Sequence, residues 1–316
     1  MNMRKNLLSF YKSRVSILLG VLLLAFTSTN AQNIYIANTS GDPTVITNWD
    51  DVGDGSGANP SDFASGDIFQ IPAGISMTVS ATNWALSGGS GAGGPQLIID
   101  DGASITVSGT ATVTISGEHI FVLNGNYIHN STAQIDYKLF NTSLSTVFGG
   151  YQNTFGSTST VTLGASLANW PSTAPTTIMF GNLTITNNST ISSQKTIQFD
   201  GYLQIDNGST LTMNGVTIQN FSGGGGSNTF LGQNGTGTFR TNSTSGSPFP
   251  ASRTWQGSVV YYSASAQTIP AGTYNSISST TSGNRTFSSA GTIEISGTFT
   301  PGTGTYTTTS STVNFN

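Results

Sequence analysis

Apolar and polar positions alternate in a pattern that recurs without gaps in three segments: LIIDDGASITV at residues 97–107, LTITNNSTISS at 183–193 and LQIDNGSTLTM at 203–213. Leu holds the first column and Ile the third, the period-two signature of a strand with one buried face. The next columns bring Asp101-Gly102, Asn187-Asn188 or Asn207-Gly208, residue types that tolerate positive φ and turn the chain. A ninth column of Ile105, Ile191 and Leu211 then resumes the core. Each unit therefore reads as strand, turn, strand.

Leu183 and Leu203 lie twenty positions apart with no amphipathic helical stretch between them. That period fits one coil of a parallel β-solenoid, in which Leu203 stacks on Leu183 and Ile205 on Ile185. The alternative is an antiparallel sandwich, where hairpin pairing would reverse the columns. The expected fold is all-β, a right-handed parallel β-helix. Residues 32–95, with Trp49-Asp50-Asp51, Asp54-Gly55, Trp84 and the loop GGSGAGGP at 88–95, form its N-terminal cap and first strands. Coils follow over 96–222. The glycine run 223–226 and the polar stretch to Pro250 mark 223–255 as a lateral loop or joint. A second repeat type occupies 256–316, where SVVYYS at 258–263 recurs as STVNFN at 311–316, a spacing that holds two or three coils. That last copy stops as a strand begins, so the sequence reads as truncated at its C-terminus, with an open end suited to end-to-end self-association.

Arg4, Lys5, Lys12 and Arg14 precede the apolar run VSILLGVLLLAF at 15–26 and the small residues up to Ala31. This is the pattern of a signal peptide over 1–31, cleaved after Ala31 to leave Gln32 as the mature start. As a helix the run would reach only about 18 Å, short of the ~30 Å hydrocarbon core of a bilayer. No later segment is apolar enough to span one.

Composition narrows the chemistry. The chain has 316 residues, 7% charged, 39 glycines and no cysteine. Disulfides, thiolate nucleophiles and Cys-ligated metals are thereby excluded. Without the leader, five Lys and Arg (Lys138, Lys195, Arg240, Arg253, Arg285) face thirteen Asp and Glu, a net charge of −8. Five scattered cations make no basic stripe for nucleic acid and no polybasic patch for an anionic membrane. Eight of the acids lie before residue 102.

The opening NWDDVGDGSGANPSDFASGDIFQIPAGISMTVS, the Leu-x-Ile coils, and QTIPAGTYNSI ahead of GTIEISGTFTPGTGT together resemble the Gly/Ser/Thr-rich β-helical surface proteins of the Bacteroidetes. The likeness covers most of the mature chain through short motifs. It implies a secreted or cell-surface adhesin.

Candidate chemistry is sparse. If the protein binds a glycan, Trp49, Trp84, Trp170, Trp255, Tyr261 and Tyr262 are the contact candidates, because a flat ring stacks on a pyranose while Asn and Asp take hydroxyls. The rival reading packs Trp49 and Trp84 into the cap and turns Tyr261 or Tyr262 inward. Calcium is the metal expectation: Asp50, Asp54 and Gly55 fall at positions one, five and six of a D-x-D-x-D-G loop, although Val52 at position three carries no oxygen. Parallel β-helices also host polysaccharide lyases and glycosidases, so Asp200 with Asp206, or Glu118 with Asp136, are the carboxyl pairs to weigh against the about 5–10 Å separation such chemistry needs. Asp101 reads as a turn residue and the two histidines, His119 and His129, as surface or turn residues. There is no GxSxG elbow. Threonine ladders for ice binding are broken, because Thr184 and Thr186 align with Ile98 and Asp100 and with Gln204 and Asp206. The expected function is a non-catalytic stalk or scaffold at the cell surface that contacts extracellular polysaccharide or cell-surface glycans. A polysaccharide-active enzyme, or its binding part, is the alternative.

Overall fold

The Leu-x-Ile segments pair in parallel, like on like. Leu183 stands beside Leu203 and Ile185 beside Ile205, which excludes the antiparallel sandwich at this site. The structure is a computed structural model that describes residues 33–64, 66–87, 95–115, 120–131, 154–155, 159–164, 167–170, 177–192, 196–199, 201–220, 230–244 and 246–316. Their architecture is β throughout, apart from one 3₁₀ turn at Ile46–Asn48. No described helix is long and apolar enough to cross a membrane.

Successive strands along the chain fall into three recurring places, giving a solenoid-like body with three faces. The second face is continuous. It runs from Ser76–Val79 through Ser104–Val107, Asn126–His129, Thr160–Leu163, Asn182–Ile185, Tyr202–Ile205 and Gly232–Asn234 to the first halves of Arg253–Tyr261 and Gly272–Ser279, then Thr292–Ile295 and Thr312–Phe315. One inward column threads it: Met77, Ile105, Tyr127, Val161, Leu183, Leu203, Gln233, Trp255, Tyr274 and Ile295. All ten are buried. Burying apolar area is worth about 25 cal/mol per Å², so this column and its neighbours supply the main stabilising force.

Turns between faces follow the expected chemistry at Gly102 and Gly208, which take φ of 77° and 79°. The Asn187-Asn188 turn uses side chains instead, with Asn188 Oδ1 accepting from Thr210 N at 2.9 Å. Gly257 sits where the long strand Arg253–Tyr261 bends from the second face to the third. A Cβ there would lie 2.1 Å from Gly237 O and 2.4 Å from Gln233 Nε2, so only glycine fits.

Four details of the repeat differ from the sequence reading. Ile191 pairs with Met213, and Leu211 with Ser189, so the ninth column is not one stack. The corner after Ile205 is two residues longer, and a shift of two preserves which side chains face inward. The segment at 97–107 occupies the first and second faces, with Leu97 beside Phe69, whereas 183–193 and 203–213 occupy the second and third. SVVYYS lies on the third face and STVNFN on the second, so they are not equivalent coils. Finally, 223–255 is no joint in its described part: Gly232–Asn234 and Thr238–Thr241 continue both faces. Only the first face lapses there, where Ile218 N donates to Pro248 O at 2.8 Å and the SPFP segment, with two residues lacking an N–H, forms no strand.

At the N-terminal end, Trp49–Asp50 pairs antiparallel with Ile34–Ala37, whose other edge pairs parallel with Ile68–Ile71. That strand leaves the Ile34–Ala37 edge occupied over Ile36 and Ala37.

Candidate functional site

Of the six aromatic residues marked for sugar contact, four are core residues. Trp49, Trp84, Trp255 and Tyr261 are at most 1% exposed, so their rings present no face to a ligand. Trp49 and Trp84 stack at 5.6 Å, and the Trp49 indole N–H donates to Pro43 O at 2.9 Å. Trp255 packs against Phe249 at 4.2 Å and Phe239 at 4.9 Å. Tyr261 and Tyr262 are consecutive and so must take opposite sides of their chain. Tyr261 goes inward and Tyr262 stays half-exposed. Trp170 ends the strand Leu167–Trp170, but its side chain lies outside the described residues.

The carboxylates of the suspected calcium loop point at N–H donors. Asp50 is buried and accepts from Asn38 Nδ2 at 2.6 Å, Val52 N at 2.8 Å, Gly55 N at 2.8 Å and also Gly53 N. Burial alone would raise its pKa. The bonds from Asn38, Gly53, Val52 and Gly55 overcome that and hold it at about 2. Asp54 turns to Ser56, accepting from its N at 2.8 Å and its Oγ at 2.5 Å, bonds that lower its pKa. The backbone N–H groups that these two carboxylates accept from belong to the loop itself, so both side chains organise its backbone. Among the described residues no group of three or more His, Asp or Glu is placed to hold a metal ion.

Among the remaining chemical candidates, two described carboxylates each accept from a glutamine amide. Asp206 accepts from Gln204 Nε2 at 2.8 Å and Asp100 from Gln70 Nε2 at 2.6 Å. Asp200, Glu118, Asp136 and His119 lie outside the described residues. His129, read as a surface or turn residue, is instead fully buried, in a second inward row between Val107 and Leu163. The alternation Tyr127, His129 within NYIH carried that signal, since Tyr127 is inward too. Thr184 stacks between Thr162 and Gln204, not on Ile98, in an outward row Thr78, Thr106, Ile128, Thr162, Thr184, Gln204. The row is longer than the alignment implied, and it is still interrupted.

Sequence reasoning missed Arg285. Its side chain is 0% exposed, and no carboxylate faces it among the described residues. Nη1 donates to Gly283 O at 2.7 Å and Asn284 O at 3.1 Å, Nη2 to Ser263 O at 3.1 Å, Tyr261 O at 3.3 Å and Thr281 Oγ1 at 3.0 Å, and Nε to Ser279 Oγ at 3.2 Å. Desolvation lowers its pKa, against the pull of Tyr306 and Tyr261, yet a guanidinium stays protonated at any ordinary pH. The RTF strand held the clue: Phe287 is inward, so Arg285 must be too.

One outward patch combines ring, cation and amides. On the third face, Thr190, Thr212 and Arg240 follow one another in register, and the next position in that row, Val260, is buried. The Arg240 guanidinium carbon lies 4.9 Å from the centre of the Tyr262 ring. Tyr262 N donates to Thr241 O at 3.1 Å, and its hydroxyl reaches back to Met213 O at 3.2 Å. Beside it, Asn242 Nδ2 donates to Asn214 Oδ1 at 2.6 Å and Gly215 N to Asn242 Oδ1 at 2.6 Å. No family model, curated protein or solved structure matches the chain.

Proposed function

We propose that this is a secreted, surface-displayed and non-catalytic β-solenoid, a stalk or scaffold that holds glycan-contacting surface away from the cell. The observation that carries this reading is the unbroken parallel ladder of the second face from Ser76–Val79 to Thr312–Phe315. Such a ladder shares an axial load among many backbone hydrogen bonds over a buried column that is apolar except at Gln233, which suits a stiff spacer. In this reading the coil winds right-handed, the hand that parallel crossovers favour, and Trp49–Asp50 with its loop caps the first coil. Residues 1–31 are a leader removed after Ala31, and the resemblance to Bacteroidetes adhesins supplies the surface role.

Surface biotinylation of intact producing cells, followed by N-terminal sequencing of the labelled protein, tests the reading. The expected result is a labelled chain beginning at Gln32. An unlabelled chain that keeps Met1 and stays inside the cell overturns it.

A further inference from the structure

We propose that Arg240 and Tyr262 form a contact site for carboxylated pyranosides, the uronic-acid units of an acidic polysaccharide. The proposal deepens the surface-scaffold reading by naming a ligand class and the residues that meet it.

Three observations carry it. Arg240 faces outward by register and, among the described residues, engages no carboxylate and no hydrogen-bond acceptor; its one specific contact is the Tyr262 ring. A guanidinium resting on an aromatic face keeps its N–H fork available for a planar, two-oxygen partner. Second, Tyr262 is fixed before any ligand arrives. Its main chain is tied to Thr241 and its hydroxyl to Met213 O, so little ring freedom is lost on stacking a sugar. Third, the neighbours offer what a polyol needs. Thr190 and Thr212 provide hydroxyls in the same row. Asn214 and Asn242 spend only part of their amide capacity on each other, leaving N–H donors for sugar hydroxyls.

Charge selects the class. Eight of the thirteen acids precede residue 102, so the negative field lies toward the other end of the sequence, away from this row. A neutral sugar could use the ring and amides but would leave the guanidinium fork unmatched. A carboxylate on a pyranose uses all three features together. A phosphate or a peptide carboxylate would use the cation and leave the ring and amides idle.

Calorimetric titration of the whole mature chain with tetramers of galacturonate, mannuronate, guluronate and glucuronate tests this, with the methyl ester of each tetramer as a neutral control. At least one free acid should bind, its ester at least tenfold more weakly, and the affinity should fall as salt rises. Arg240→Gln should lose at least tenfold for that acid. Tyr262→Phe, which keeps the ring, should lose much less than Tyr262→Ala. The proposal is overturned if none of the four acids binds, if acid and ester bind alike, or if Arg240→Gln binds as the parent does. The acid-against-ester comparison needs no variant, so it stands even where a substitution impairs folding. Failure here would leave the surface-labelling result untouched, whereas an intracellular chain would remove the scaffold reading whatever the titrations gave.

Discussion

Among the described residues, Asp50 and Arg285 are the charged side chains with no exposed surface at all, and their two regions solve the same problem with opposite halves of the peptide group. In the loop after the Trp49–Asp50 strand, the Asp50 carboxylate is surrounded by the amide N–H groups of Val52, Gly53 and Gly55 and by Asn38. In the late coils, the Arg285 guanidinium is surrounded by the carbonyls of Tyr261, Ser263, Gly283 and Asn284 and by two hydroxyls. Among the described residues neither has a counter-ion. In a chain with so few charged residues, turn backbone supplies the counter-charge, and turn backbone must be satisfied in any case. The two regions differ in scope. Asp50 orders one short loop from within, whereas Arg285 ties the corner of one coil, 279–284, to that of the previous coil, 261–263. Arg285 also has no accessible neutral form, while Asp50 can be neutralised by acid.

The sharpest way to break the comparison is a buried charge that lacks such a shell. Ile205 lies in the core, and its neighbour Ile185 offers no polar side-chain atom. Ile205→Asp should therefore remove most or all of the folded population, since an uncompensated buried charge costs about 3–5 kcal/mol against a typical total of about 5–15. Circular dichroism with urea titration would show it. A cooperative transition within about 1 kcal/mol of the parent would mean that Ile205 does not face the core.

Next in size is Arg285→Met, which fills similar volume but strands several buried carbonyls. We expect a loss of about 3 kcal/mol or more in urea titration, with a smaller loss for Arg285→Lys, whose ammonium keeps the charge but cannot span both corners. Equal stability of the Met variant and the parent would mean that the carbonyls find other donors and that the guanidinium ties nothing together.

The comparison also separates what could be read in the sequence from what could not. Period-two alternation and the Asn-Gly or Asp-Gly turns were sufficient to place Leu183 on Leu203 and Ile185 on Ile205, because those columns depend on neighbouring coils of equal length. They failed once corner length changed, as at Ile191, which pairs with Met213. Corner length is set by backbone closure and leaves little trace in apolar pattern. Ring chemistry alone does not separate the six aromatic candidates, whereas parity along their strands does. Parity within RTWQG, NYIH and RTF puts Trp255, His129 and Arg285 inward, whatever their polarity. Tyr262 was legible as a surface ring only as one of an adjacent pair, and its partner Arg240 comes from another coil, so no local motif joins them.

A smaller effect should distinguish the two charges by pH. The carboxyl of Asp50 sits at about 2 in the folded protein, below its ordinary value near 3.9, so its contribution to stability is complete above about pH 4. It is lost as pH falls through about 4 to 2, where the folded state takes up its proton later than the unfolded chain. Asp50→Asn should cost about 1–2 kcal/mol at neutral pH, because two charge-assisted bonds or more become ordinary or are lost. It should also flatten the stability profile between pH 4 and 2, and Arg285→Met should leave that slope in place. An unchanged slope in Asp50→Asn would assign the acid sensitivity to other carboxylates.

The smallest effect is expected where a new carboxylate meets solvent and a waiting cation. Thr212 is half-exposed on the third face, with Arg240 beside it in register. Thr212→Asp should change stability by no more than about 0.5 kcal/mol, because strand propensity lost at this position is offset by a cross-strand ion pair of modest strength. The same substitution gives Arg240 a partner within the chain, so uronate binding should weaken although folding does not. Urea titration and calorimetry on one sample separate the two readouts. A strongly destabilised Thr212→Asp would place residue 212 inward and reverse the register of the third face, whereas intact folding with unchanged uronate affinity would detach Arg240 from the proposed site.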